Sequence, residues 1–181
     1  MRNAGFTLVE IIVVVGIIVL SALLIFPNWN KGQRGLGLER SAHFFEQEVR
    51  NTIELALRAE QLPSGVTCPI GRNITGYGIY ITASTPEKFS LFADCRLDGT
   101  GSVREYSALE DVVVKEFTLE EGISFQSTAP SPFSVVFEPP TPEVGINPGN
   151  VAQGSVILQI TDDISETRTV QVNNKGVVEI Q

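Results

Sequence analysis

Histidine is almost missing from this chain: His43 is the one copy, and cysteine occurs twice, as Cys68 and Cys95. With so few soft ligands, no Cys/His set has the spacing of a zinc site. There is no Gly-x-Ser-x-Gly turn and no glycine loop built to cradle phosphate. His43, near the start of an amphipathic stretch, reads as a surface or interface histidine. The acidic pairs Glu110-Asp111 and Glu120-Glu121 read as solvated turns rather than acid/base couples. Asp162, Asp163, Ser165 and Glu166 offer oxygen donors for Ca²⁺, but they lack an EF-hand pattern and also fit a plain hairpin turn. The residues thus point away from an enzyme and call for no cofactor.

Positive charge is also scarce, with 13 Lys and Arg against 21 Asp and Glu, a formal net charge of −8. An acidic surface repels phosphate backbones, so nucleic acid is not an expected partner. Charge is missing almost entirely from residues 1–27, where Arg2 and Glu10 stand alone. The 181 residues leave room for one domain and an anchor.

What replaces the missing charge is one apolar run, Phe6 to Phe26, interrupted only by Glu10. As a helix it extends about 31 Å, enough to cross a hydrocarbon core about 30 Å thick. A secretory signal peptide needs a longer basic leader, a shorter apolar run and a small-x-small cleavage site, and Ser21-Ala22-Leu23 is a poor one. A plain signal anchor explains the hydrophobicity but not the carboxylate. An ionisable group in a membrane span is costly and needs a partner. If the chain were cut before Phe6, the new amine would stand about one helical turn from Glu10.

The segment Gly5-Phe6-Thr7-Leu8-Val9-Glu10, followed by the apolar run, resembles the prepilin peptidase recognition segment of type IV pilins and type II secretion pseudopilins. The resemblance implies cleavage between Gly5 and Phe6, N-methylation of Phe6, and an interaction of Glu10 with the Phe6 amine of a neighbouring subunit during assembly. It divides the chain into a removed leader (1–5), a transmembrane and assembly helix (6–27), a linker and amphipathic helix (28–62) and an extracytoplasmic β domain (63–181). The implied location is the cytoplasmic membrane, single-pass, and then a pilus or pseudopilus. The implied partners are the lipid bilayer, the peptidase, the inner-membrane assembly platform and other pilins or pseudopilins. Lys31, Arg34 and Arg40 follow the run, which the positive-inside rule alone would not favour for an exported C-terminus. With that topology, an oxidising compartment can join Cys68 to Cys95; free buried thiols are the alternative.

Pro27 is expected to end the first helix, because a proline inside a helix removes a backbone hydrogen bond and clashes with the preceding turn. The glycines at 32, 35 and 37 predict a flexible or broken stretch after it. Helical periodicity resumes with Leu38, Ala42, Phe45, Val49, Ile53 and Ala56, and Leu62-Pro63-Ser64-Gly65 is expected to stop it. Beyond residue 65 the pattern is β, with strands expected at 78–82, 88–93, 112–118, 133–137, 155–160, 167–172 and 177–180, the last two joined by an Asn-Asn-Lys-Gly hairpin. The Pro- and Gly-rich stretch 138–150 reads as an exposed loop. The fold class is therefore α+β, a transmembrane helix continuing into an amphipathic helix packed on one or two antiparallel sheets. Gly76-Tyr77-Gly78-Ile79-Tyr80, the Phe133–Glu138 strand and the C-terminal hairpin look like the H-type minor pseudopilins and related minor pilins (GspH/FimT-like). A main filament subunit, or a filament-borne adhesin or DNA-uptake module, is the alternative.

Overall fold

The computed structural model describes residues 7–97, 105–139, 143–147 and 151–181, with residues 24–31 and 143 described in backbone only. Two compact units divide at Leu36/Gly37. The first carries the N-terminal part of helix α1 (Leu8–Leu57), and the second carries its C-terminal part and all the strands.

Two expectations for α1 need correction. Its backbone does not end at Pro27, and the glycine stretch 32–37 is helical rather than broken. A proline in a helix interior costs about 3 kcal/mol and a glycine about 1. Cooperative hydrogen bonding along helix on both sides outweighs these local penalties. A Cβ at Gly37 would sit 3.1 Å from Glu120 Oε2, so that exposed side-chain end would have to shift by a few tenths of an ångström. The helix stops at Leu57, five residues before the expected breaker. Ala59 takes a left-handed φ of 47°, and Leu55 O accepts the Glu60 N–H in a closing turn.

In the second unit the predicted stripe is the buried one. Leu38, Ala42, Phe45 and Val49 are fully buried, Ala56 nearly so, and Ile53 packs beside them. The strands are β1 (Asn73–Ile81), β2 (Lys88–Arg96), β3 (Val112–Thr118), β4 (Ile123–Ala129), β5 (Phe133–Glu138), β6 (Glu143–Asn147), β7 (Gln153–Ile160), β8 (Asp163–Asn173) and β9 (Val178–Ile180). They form two antiparallel sheets, ordered β3-β2-β1-β5-β6 and β4-β7-β8-β9. The helix is seated on both. Phe45 meets Phe89 of the first sheet edge-on at 5.1 Å and Phe125 of the second at 5.6 Å. Polar contacts fix its register: Arg168 of β8 on Glu39 (2.7 Å), Arg50 on the Val178 carbonyl (2.8 Å), and Arg40 on Glu120 of the β3–β4 turn (2.8 Å).

Sequence reasoning passed over β4 and β6. In β4 the core residues Ile123 and Phe125 precede a bulge between Phe125 and Ser127, and this shift breaks the period-2 alternation. The stretch 138–150, expected as loop, contains β6, which pairs with β5 through Val135↔Ile146 and buries Val144 and Ile146. Its prolines stand outside the five paired residues, where no ladder donor is lost.

Candidate functional site

In the N-terminal unit, the helix from Leu8 to Leu23 carries its large apolar side chains exposed on every side. Leu8, Val9, Ile11, Ile12, Val13, Val14, Val15, Ile17, Ile18, Val19, Leu20 and Leu23 are each 52–75% exposed. Consecutive positions turn by about 100°, so they leave no polar face. Nothing lies within 4 Å of where a Cβ on Gly16 would stand. Surface of this kind is stable only when something apolar covers it. Among the described residues no helix is long and apolar enough to cross a membrane. The run expected to span includes Phe6, outside the described residues, and 24–26, described in backbone only.

The helix begins with a reciprocal cap. The Thr7 N–H donates to Glu10 Oε2 at 3.0 Å, the Thr7 hydroxyl donates to the same oxygen at 2.9 Å, and the Glu10 N–H donates to Thr7 Oγ1 at 3.3 Å. This is a capping box: each side chain satisfies a backbone donor that the first turn leaves unpaired. Thr7-Leu8-Val9-Glu10 spells that motif in the sequence, and reading Glu10 only as a buried charge hid it. Gly5 and Phe6, the expected processing residues, lie outside the described residues, as does the side chain of Pro27.

The remaining candidates are in the second unit. Cys68 and Cys95 form a disulfide, with Cα atoms 5.7 Å apart. His43 is an exposed helix residue between two carboxylates, Glu39 and Glu46, each 3.4 Å from a ring nitrogen. Glu120 pairs with Arg40 on the surface. The Glu110-Asp111 pair is not a solvated turn. Glu110 pairs with Arg72 at 2.8 Å, and Asp111 is buried, accepting the Cys95 and Ser107 N–H groups at 3.0 and 2.8 Å. For the calcium candidates, Asp163 Oδ1 accepts the hydroxyl of Ser165 at 2.6 Å. Among the described residues, no group of three His, Cys, Asp or Glu side chains could hold a metal ion.

A second buried layer went unforeseen. On the outer face of the five-stranded sheet, Phe92 and Val136 are fully buried, and Tyr106 stacks on Tyr80 at 4.3 Å and meets Phe92 edge-on at 5.0 Å. Beside them Arg96 joins Asp94 and Glu138, the latter at 2.7 Å. Burial drives the Asp94 carboxyl up to about 6 although the Arg96 guanidinium opposes it, and burial raises Asp111 as well. The available signal was apolar residues at consecutive positions, as in Leu91-Phe92-Ala93 and Val135-Val136-Phe137, which mark strands covered on both faces.

No protein-family model matches the chain, and no curated protein sequence matches it. Among solved structures, the chain is similar to the type IV minor pilin FimU of Pseudomonas aeruginosa (strain PAO1). The identity is 8%, the superposition covers 86% of this chain and 92% of that one, and the TM-score is 0.49.

Proposed function

We propose that the chain is a minor pilin or pseudopilin, a structural subunit of a type IV pilus or a type II secretion pseudopilus. One observation carries the reading: the motif Gly5-Phe6-Thr7-Leu8-Val9-Glu10 leads into a helix that is apolar on every side. A helix of that kind can be covered first by lipid and then by equivalent helices of neighbouring subunits, which is what insertion followed by assembly requires. In this reading the prepilin peptidase cuts after Gly5, Phe6 is N-methylated, residues 6–27 hold the subunit in the cytoplasmic membrane, and the β domain is extracytoplasmic. The Cys68–Cys95 disulfide supports export, because such bonds persist in oxidising compartments.

The capping box sharpens the test. Glu10→Ala would remove a charge and a cap together. Glu10→Gln keeps a side chain able to serve the box and removes only the charge, whereas Thr7→Val removes the box and keeps the charge. In the native host, Glu10→Gln is expected to be membrane-located and processed yet strongly depleted from sheared filaments. Thr7→Val is expected to assemble. Normal incorporation of Glu10→Gln would overturn the docking role of the carboxylate, and loss of either variant from the membrane would overturn the assignment of the segment.

A further inference from the structure

Helix α1 ends with its negative charge uncompensated. Ala59, at φ 47°, donates its N–H to the Ala56 carbonyl at 3.0 Å, and the Glu60 N–H donates to the Leu55 carbonyl at 3.3 Å, the paired bonds of a Schellman turn. The carbonyls of Leu57 and Arg58 have no backbone donor among the described residues. A helix C-terminus carries about half a negative charge, which basic side chains in the last turn offset. Here the last turn has none, and Arg58, just beyond it, reaches back to Glu54 at 3.2 Å. Glu60 is exposed and adds a full negative charge at the same end, and among the described residues no cation pairs with it. A recess of about 100 Å³ opens beside this carboxylate. Its lining combines the buried Ala56 and Tyr77 with Ile74 and Pro139, and Glu60 and Gln61 complete it. The Tyr77 hydroxyl donates to the Glu60 carbonyl at 2.5 Å and fixes that residue against the wall. Burial first, and then the charge of Glu60, push the Tyr77 hydroxyl above its ordinary value, so the carboxylate stands close to the ring.

We propose that this recess receives a lysine side chain of a partner protein, the aliphatic stem lying on Ala56, Ile74 and Pro139 and the ammonium reaching Glu60 and the helix end. Charge complementarity selects that occupant. An anion meets both the carboxylate and the negative end of the helix. A wholly apolar side chain fills the recess but strips water from Glu60 and gives it no partner. A metal ion finds one carboxylate, and among the described residues no group of three His, Cys, Asp or Glu side chains could hold one. A lysine answers both halves of the site, because its stem packs on apolar surface while its head keeps to the charged rim. Its three rotatable donors suit one carboxylate and separate carbonyls better than the flat fork of arginine does. The chain's net charge of −8 favours the approach of a cationic partner surface.

Amide NMR titration of the full-length chain in neutral detergent tests the site with three probes: Nα-acetyl-lysine N-methylamide, its norleucine counterpart, which has the stem without the charge, and methylammonium, which has the charge without the stem. The lysine probe is expected to shift the amides of residues 59–61 and 74–77 saturably, and the other two to bind more weakly. Glu60→Gln, at an exposed position that leaves the fold intact, should weaken the lysine probe about fivefold, the factor a surface ion pair implies. No saturable shift, equal binding of norleucine or of methylammonium, or an unchanged affinity in Glu60→Gln would each overturn the proposal. In the native host, Gln61→p-benzoylphenylalanine is expected to crosslink to a partner beside one of its lysines, and crosslinks mapping only to lysine-free segments would overturn it. Lys175, at the exposed tip of the β8–β9 hairpin, supplies the remaining control. Self-association in sedimentation velocity that disappears in Lys175→Gln would make the occupant a second copy of this chain and overturn the separate partner.

Discussion

Phe44 and Phe45 are neighbours in sequence and opposites in environment, and replacing each by alanine tests how the helix sits on the sheets. Phe45 is fully buried and bridges the two sheets through edge-on contacts with Phe89 and Phe125. Phe44 is 36% exposed and meets Phe89 and Phe117 of the first sheet alone, at 5.9 and 5.8 Å. Burying a phenylalanine and leaving a cavity on its removal together put Phe45→Ala at about 3–5 kcal/mol. Phe44→Ala should cost about 1–2 kcal/mol, because part of its surface already meets water and its neighbours can close in. With a urea m-value of about 2 kcal/mol/M for a domain of this size, Phe45→Ala should lower the midpoint by about 2 M and Phe44→Ala by less than about 1 M. Urea titration of the full-length chain in detergent, followed by near-UV circular dichroism, measures both. Equal losses, or a larger loss for Phe44→Ala, would refute the helix register and the bridging role of Phe45.

At Gly78, a Cβ would stand 2.5 Å from the Val135 carbonyl oxygen and 2.6 Å from the Phe92 ring, so Gly78→Ala must push β1 from β5 and should cost about 2–3 kcal/mol; a melting temperature within a degree of the parent's would contradict that. The raised Asp94 carboxyl, with Arg96, Glu138 and Asp111 around it, stabilises the fold in its neutral form, a contribution fully present below about pH 3.8 and lost as pH rises through about 6. Asp94→Asn should therefore gain on the parent between pH 4 and 7, by up to about 3 kcal/mol, and parallel stability–pH curves would refute this. N-terminal mass spectrometry of protein from its native host should find a chain beginning at methylated Phe6; an intact Met1 start in cells with an active prepilin peptidase would contradict the processing.

The helix stripe and the C-terminal hairpin were legible because a single rule governs each. Leu38, Ala42, Phe45 and Val49 alternate with charge at helical spacing, and Asn173-Asn174-Lys175-Gly176 places a glycine where φ is 76°. Elements went unseen where two rules conflicted. Proline and glycine flanks disguised β6, whose five residues are held by pairing with β5 rather than by their own propensity. Local propensity likewise placed a break at 32–37, where the backbone is helical. The outer layer was hidden for another reason. Tyr106 lies outside any strand and reaches Tyr80 and Phe92 only in three dimensions, and the buried Asp111 meets Cys95 of β2 only through the fold.

At the N-terminus, chemistry rather than pattern separates what was read from what was missed. A carboxylate in an apolar run demands a partner, and the demand was assigned to an amine on another subunit. The structure supplies a partner within the same chain, since Thr7 gives Glu10 both its N–H and its hydroxyl. The two answers are compatible, since both Thr7 bonds fall on Oε2 and a carboxylate has a second oxygen to offer an amine. In the proposed reading, a subunit waiting in lipid would satisfy Glu10 locally, which would lessen the cost of carrying a carboxylate there. In that reading docking would add an ion pair to the cap, and in a low-dielectric surrounding a paired opposite charge is the stronger interaction. That ion pair would need a charge on Glu10, whereas the cap does not. Glu10→Gln would therefore keep the cap and remove the ion pair that the proposed docking adds.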